Sequence, residues 1–356
     1  MVSTIEKFIR KNYTTVFLVL ILVIAAFFRI YRIQDYLTFL GDEGRDVLIV
    51  RDILHGHFTL LGPRASAGNF FTGPIYYYMM APFLFLANSN PVGPAIMIAV
   101  LSVITVFLIF QFGKKWFNPT AAIIAASLYA ISPLVIQYSR SSWNPNPMPF
   151  FSMVIFYLLY IWIQKPSIKK FLVIGMIYGV AFQLHYIEVF TGIIIAAFVL
   201  FGNLIVGKKE LLKKVLKEYI SLFFGFLIGM SPFLAFEARH GFPNTKTVFS
   251  FILHGDPGAT DVVKTNFLQI IMDVYFRVFA RLVMYFPPPD KVTLYARVLP
   301  YWVWGAVILG IVSTVFLIFQ LVESLRIRNK NTLGYLLIFL WFALGVILFG
   351  FYRKPI

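Results

Sequence analysis

The chain has 356 residues, 60% hydrophobic and only 13% charged, with 40 phenylalanines. So few polar side chains cannot cover a soluble fold of that size, so the composition excludes a water-soluble domain and indicates a polytopic membrane protein. The 31 basic and 15 acidic residues give +16 and there is no cysteine, which rules out disulfides, thiolate metal sites and a cysteine nucleophile.

The N-terminal "KFIRKNYTTVFLVLILVIAAFFRIYRI" has the apolar run of a signal peptide but no clear small-residue cleavage site, and Arg29 and Arg32 can snorkel from its end. It reads as an uncleaved first span. Further apolar runs long enough for a bilayer core of roughly 30 Å lie near 92–112, 119–138, 147–164, 171–186, 188–206, 219–236, 300–322 and 332–351. With 14–32 these make nine expected spans. The shorter "GPIYYYMMAPFLFLANS" at 74–90 contains Pro82 and three tyrosines.

Lysine and arginine stand in short clusters between the apolar runs: Lys7 to Lys11, Lys114–Lys115, Lys165 to Lys170, "GKKELLKKVLKE" and "RIRNK". This is a topology pattern, not the basic stripe of a nucleic-acid binder. All clusters face the cytoplasm if 74–90 lies at the interface without crossing. Residues 33–91, the 137–147 loop, the turn from His185 to Glu188, the segment 237–299 and the C-terminal "FYRKPI" then share the outer side. No internal repeat or low-complexity linker divides the chain, so 1–356 is expected to form a single transmembrane domain.

The acidic stretch "GDEGRDVLIVRDILHGHF" at 41–58 follows the first span. Asp42 is placed to cap a helix whose positive end favours Glu43. At 100° per residue, Val47, Val50, Ile53 and Leu54 share an arc opposite Arg45, Arg51 and Asp52, as in a helix lying along the membrane surface. Asp42 and Asp46 continue through Ile49 and Ile53, a row that turns both carboxylates toward the apolar side. Carboxylates in such a place are paired or functional. Asp52 is left as a solvated charge.

The order of these features resembles the GT-C membrane glycosyltransferases, in particular family 39, with the protein O-mannosyltransferases and the aminoarabinose transferase of lipid A. The shared order is one span, an outer loop opening with Asp42–Glu43, the Tyr-rich "GPIYYYMMAP", a span ending in a basic pair before "WFNP", a span ending "ISPLVIQYSR", and a long outer loop after the seventh span. The resemblance implies a GT-C-like bundle of about nine helices with juxtamembrane helices in the first outer loop. It also implies transfer of a sugar from a polyprenyl-phosphate donor to an acceptor hydroxyl on a lipid, glycan or protein. Transfer would take place at the outer face of the plasma (inner) membrane with inversion, Asp42 being the general base and Glu43 its support. A hydroxyl attacks well only when its proton is removed as the bond forms.

The expected substrate-binding set is Asp46, Asn69, Tyr76, Arg140, His185 and Glu188. Arg140 can hold the leaving phosphate bidentately or anchor the chain beside Trp143. His185 and Glu188 are three apart and can share a helix face or be structural. His55 and His57 flank Gly56, and two histidines alone do not define a metal site. Many relatives carry a lysine where this chain has Thr72, and an acid in the position of Ser141 to Asn144. The metal site therefore stays open; a divalent cation on oxygen ligands would be magnesium or manganese. Arg239, His240, Asp256 and Asp261 in the long loop are plausible further contacts. The chain stops at Ile356 just after a span, without the soluble C-terminal domain of some relatives, as expected of a short protein or a fragment. Two other readings are a transporter or flippase of lipid-linked glycans and an inactive scaffold. The nearly charge-free spans, with polar residues gathered at one face, favour surface chemistry over a transporter's midplane charges.

Overall fold

The computed structural model describes residues 2–65, 69–207, 210–254, 266–282, 297–327, 329 and 331–351. Asp256 and Asp261 lie outside the described residues. The described part is all-α, with one isolated antiparallel bridge, Arg64 to Phe71. In chain order the helices are α1 (Val2–Ile30), α2 (Ile33–Tyr36), α3 (Gly41–Leu54), α4 (Ile75–Leu86), α5 (Val92–Trp116), α6 (Pro119–Ile131), α7 (Pro133–Tyr138) and α8 (Met148–Trp162). They continue as α9 (Ile168–Phe182), a 3-10 turn (Tyr186–Glu188), α10 (Val189–Val206), α11 (Leu211–Gly229), α12 (Ser231–His240), α13 (Pro243–His254), α14 (Phe267–Ala280), α15 (Leu299–Ile327) and α16 (Thr332–Gly350).

Each expected apolar run is helical. Five are long enough to cross a membrane as single helices, and α11 with α12, bent by 73°, can make a sixth. The others are shorter or broken. The run 119–138 breaks at Ser132, because Pro133 cannot donate to the carbonyl of Tyr129. At 12 residues, α4 rises about 18 Å, well short of a bilayer core, and it packs between α3 and α5.

The main core joins α5, α8, α9, α10 and α16 around Phe156, Leu159, Phe171, Phe198 and Leu337. Helices α9 and α11 are in direct backbone contact. Gly175 and Gly179 face Gly225 and Gly229, and a Cβ at Gly175 would collide with the carbonyl of Leu222. This is the small-residue packing that lets helices associate in lipid, where no hydrophobic effect drives them together.

Arg29 does not snorkel. Its side chain is fully buried and donates to Ser102 Oγ (2.8 Å) and to the carbonyls of Ala130 (2.8 Å), Ala25 (3.1 Å) and Tyr129 (3.2 Å). The reason lies at the break after α6. A helix end leaves carbonyls without donors, and a guanidinium with five N–H groups can serve several of them at once. Arg29 therefore ties α1 to α5 and α6.

A second core holds the segment between α1 and α5 in place. Val50 and Ile53 of α3 pack on Tyr76, Tyr77, Met80 and Leu84 of α4, with Met97 and Ile98 of α5 and Leu184. It fixes α3 across one end of the bundle.

Candidate active site

The cap of helix α3 lies two residues earlier than the sequence suggested. Leu40 is the N-cap, and Glu43 Oε2 accepts from its backbone N–H at 3.0 Å. Glu43, not Asp42, therefore completes the helix start. The buried residues of α3 are Glu43, Asp46, Val50 and Ile53, of which only Glu43 departs from the expected inward set. Asp42 is correspondingly turned outward, its side chain 53% exposed, while Asp46 is fully buried.

Arg45 joins the two aspartates. It donates to Asp42 Oδ1 (3.0 Å) and, through Nε and Nη2, to Asp46 Oδ1 (3.0 and 2.8 Å). Tyr77 Oη also donates to Asp46 Oδ1, at 3.3 Å. Burial pushes the Asp46 carboxyl up to about 6, against the pull of Arg45 and Tyr77. Asp46 thus has no face toward substrate, which corrects the expected binding role. Its work is to aim Arg45.

Glu43 is likewise closed in. Its second oxygen, Oε1, accepts from Ser141 Oγ at 2.9 Å, joining the start of α3 to the loop after α7. The neighbouring Ser142 Oγ meets Tyr76 Oη at 2.8 Å, and Tyr76 is fully buried. Tyr76 is therefore a strut under the loop, not an exposed substrate contact. Asn144 Nδ2 donates to the carbonyl of Leu184, bringing the turn before α10 to the same place.

Two short stretches, 62–65 and 69–72, pair as a strap on the remaining side. Gly62 N donates to the carbonyl of Thr72 (2.9 Å), Thr72 N to that of Pro63 (2.9 Å) and Ala65 N to that of Phe70 (2.8 Å). Between strap, α3 and loop lies a small cleft. Asp42 and Arg45 stand on one wall, Arg64, Ala65 and Thr72 on the second, and Trp143, Asn144, His185 and Tyr186 on the third. One exposed carboxylate thus faces two guanidiniums, a balance that draws an anion in.

Several expected residues lie elsewhere. Arg140 donates to the carbonyl of Phe28 and stacks over Tyr36, its guanidinium carbon 4.8 Å from the ring centre. It is absent from the cleft wall because the broken end of α6–α7 turns it toward α1. Arg45 and Arg64 are the arginines on the cleft wall. The strap arginine also donates to Asn69 Oδ1, so Asn69 reaches the cleft only through Arg64. His185 lines the cleft, its Nδ1 accepting from Ile187 N at 3.2 Å, whereas Glu188 is fully buried beyond the turn. His185 is the extended N-cap before the 3-10 turn and Glu188 its last residue, so the two do not share a helix face. His55 and His57 are exposed beyond the end of α3. Sequence reading placed Arg45 on the solvent side and passed over Arg64; the one available signal was the three-residue spacing from Asp42 to Arg45.

The donor set does not fit a magnesium or manganese ion. Among the described residues no three His, Cys, Asp or Glu side chains gather to hold a metal. The only paired acids in the cleft region already share Arg45, which a divalent ion would have to displace.

A larger cavity lies at the opposite end of α10, lined by Gln164, Leu204, Ile205, Val206, Leu325, Asn329, Thr332 and Leu333. It offers no ionisable side chain. The cleft, by contrast, brings Asp42 together with Arg45, Arg64 and His185.

Residues 72–236 match the sequence profile described as dolichyl-phosphate-mannose-protein mannosyltransferase. A search of curated proteins finds no match. Among solved structures, the fold is similar to the oligosaccharyltransferase AglB from Archaeoglobus fulgidus in complex with an inhibitory peptide and a dolichol-phosphate, at 14% identity and a TM-score of 0.54. The alignment covers 97% of this chain and 48% of that one. The Archaeoglobus fulgidus enzyme tethered to an acceptor peptide containing the NVT sequon gives the same identity, coverage and TM-score. The chain spans about half the length of these structures, and the likeness is one of fold. The matched segment, a little under half of this multi-pass membrane protein, resembles the dolichyl-phosphate-mannose-protein mannosyltransferases and supplies Thr72, Trp143, Asn144, His185 and Tyr186 of the cleft wall.

Proposed function

We propose that the protein transfers a sugar from a polyprenyl-phosphate donor to an acceptor hydroxyl at the outer face of the plasma membrane, with inversion at the anomeric carbon. The observation that carries this reading is the exposed carboxylate of Asp42 set against Arg45 and Arg64 in one cleft. The donor's chain must stay in lipid while its phosphate and sugar meet the protein at the interface. A cleft beneath a surface helix suits that division. The acceptor hydroxyl attacks the anomeric carbon, its proton passes to Asp42, and the bond from that carbon to the phosphate oxygen breaks. The departing polyprenyl phosphate gains negative charge, which Arg45 and Arg64 are placed to offset. Glu43 holds the start of α3 against Ser141 and so keeps Asp42 in position. The basic clusters support nine crossings with α4 at the interface, which leaves the cleft outside.

Purified protein in proteoliposomes, given dolichyl-phosphate mannose labelled in the sugar together with lipid, glycan and peptide acceptors, is expected to move label from donor to an acceptor. Movement of intact donor across the bilayer without transfer would replace this reading with that of a flippase.

A further inference from the structure

Glu237, at the end of α12, has no part in the chemistry above, yet it is fully buried and accepts four hydrogen bonds. Oε1 takes the backbone N–H of Asn244 (3.2 Å) and its side-chain Nδ2 (2.8 Å). Oε2 takes the backbone N–H (2.8 Å) and the hydroxyl (2.7 Å) of Thr245. Capping the first turn of α13 explains the two backbone bonds, and the Thr245 hydroxyl adds to them. The bond to Asn244 Nδ2 does something else.

By drawing the NH2 of Asn244 toward itself, Glu237 leaves the amide oxygen pointing away, where Oδ1 accepts from the backbone N–H of Phe71 at 2.8 Å. The reversed amide would set donor against donor at Phe71 and acceptor against acceptor at Glu237. Phe71 is the bridge partner of Arg64. Ring contacts run alongside: Phe251 of α13 lies edge-on to Phe70 (6.3 Å), Phe70 to Tyr186 (5.9 Å), and Tyr186 stacks on His185 (4.2 Å). The start of the long outer loop is thereby fastened to two walls of the cleft.

We propose that Glu237 is a positioning residue that, by orienting Asn244, holds the strap in register so that Arg64 faces the donor's phosphate. This rests on the transferase reading of the cleft. A buried charge-assisted bond is broken in Glu237→Gln, whose NH2 must oppose the donors of Asn244 or Thr245. The expected result is a rise of about tenfold in KM for dolichyl-phosphate mannose, with kcat changed by less than about threefold. Binding of dolichyl phosphate alone, measured without turnover, should weaken by a similar factor. Arg64→Ala should raise the same KM, and adding Glu237→Gln to it should bring no further rise, because one residue acts through the other.

An unchanged donor KM in Glu237→Gln, or full additivity with Arg64→Ala, would overturn the proposal. Should Glu237→Gln not yield monodisperse protein, Asn244→Ala takes its place. That change removes the bond to Phe71 and leaves Thr245 on Glu237, and an unchanged KM there is equally decisive. A wild-type protein that neither binds dolichyl phosphate nor uses the donor would refute the transferase reading itself. Normal donor use with a silent Glu237 would refute only the strap.

Discussion

Asp42→Asn is expected to lower the rate of sugar transfer by about a thousandfold while leaving donor affinity nearly unchanged. Asparagine keeps the size of the side chain and an oxygen for Arg45, so the cleft should keep its shape. What it loses is the capacity to take a proton at the pH of the reaction. Asp42 is the only one of the three acids at the start of α3 with an open face: Glu43 and Asp46 are buried. Asp52→Asn is the control, since Asp52 lies exposed away from the cleft, and it should transfer sugar at the wild-type rate. Single-turnover measurements with saturating donor separate the chemical step from binding. A fall in donor affinity equal to the fall in rate would mark Asp42 as a binding group instead of a base.

Arg45→Met should have the next largest effect, and through two separable routes. It removes a cation from the cleft, expected to cost about a hundredfold in kcat. It also strips two of the three donors from Asp46 Oδ1, leaving a buried carboxylate served by Tyr77 alone at a cost of about 1–3 kcal/mol in stability. Asp46→Asn added to Arg45→Met should restore stability without restoring turnover. Recovery of turnover in the double variant would show that Arg45 serves only to neutralise Asp46.

Acidity gives the same pair a second readout. The Asp46 carboxyl stands at about 6, above its ordinary 3.8, so the folded state binds the proton more tightly than the unfolded one. The Asp46 contribution is then greatest below about pH 4 and declines as pH rises toward 6. Melting temperatures of wild type minus Asp46→Asn should fall across that window and stay level above it. In Arg45→Met the decline should extend to higher pH, because the attraction that favours the ionised form is gone.

Much of this arrangement was legible in the sequence. The apolar runs gave the long helices, and the acidic stretch directly after the first span forms the helix that lines one wall of the cleft. Periodicity placed Val50 and Ile53 on the buried side of α3. It put Asp42 there as well, but Asp42 stands in the exposed first turn, held by Arg45, while Glu43 folds back onto the Leu40 amide and is buried.

The errors with Arg29 and Arg140 have a different origin. Arg29 reads as an interfacial anchor and Arg140 as a phosphate ligand, and only the break at Pro133 supplies the carbonyls that bury the first and the turn that draws the second toward Phe28. Arg64 and Glu237 were beyond reach of any local pattern. Asn244, which links them, is 173 residues from its partner Phe71. The glycines 175, 179, 225 and 229, by contrast, carry their pairing in plain i, i+4 spacing.

The most direct test of the outer cleft is to ask where a lipid phosphate binds. A polyprenyl phosphate bearing a photoreactive diazirine beside its phosphate, photolysed on the reconstituted protein and mapped by peptide mass spectrometry, should label residues 41–72 and 139–147. Asp42→Asn should leave that labelling intact. Label confined to the opposite end of α10, around Gln164, Leu204 and Thr332, would contradict the account.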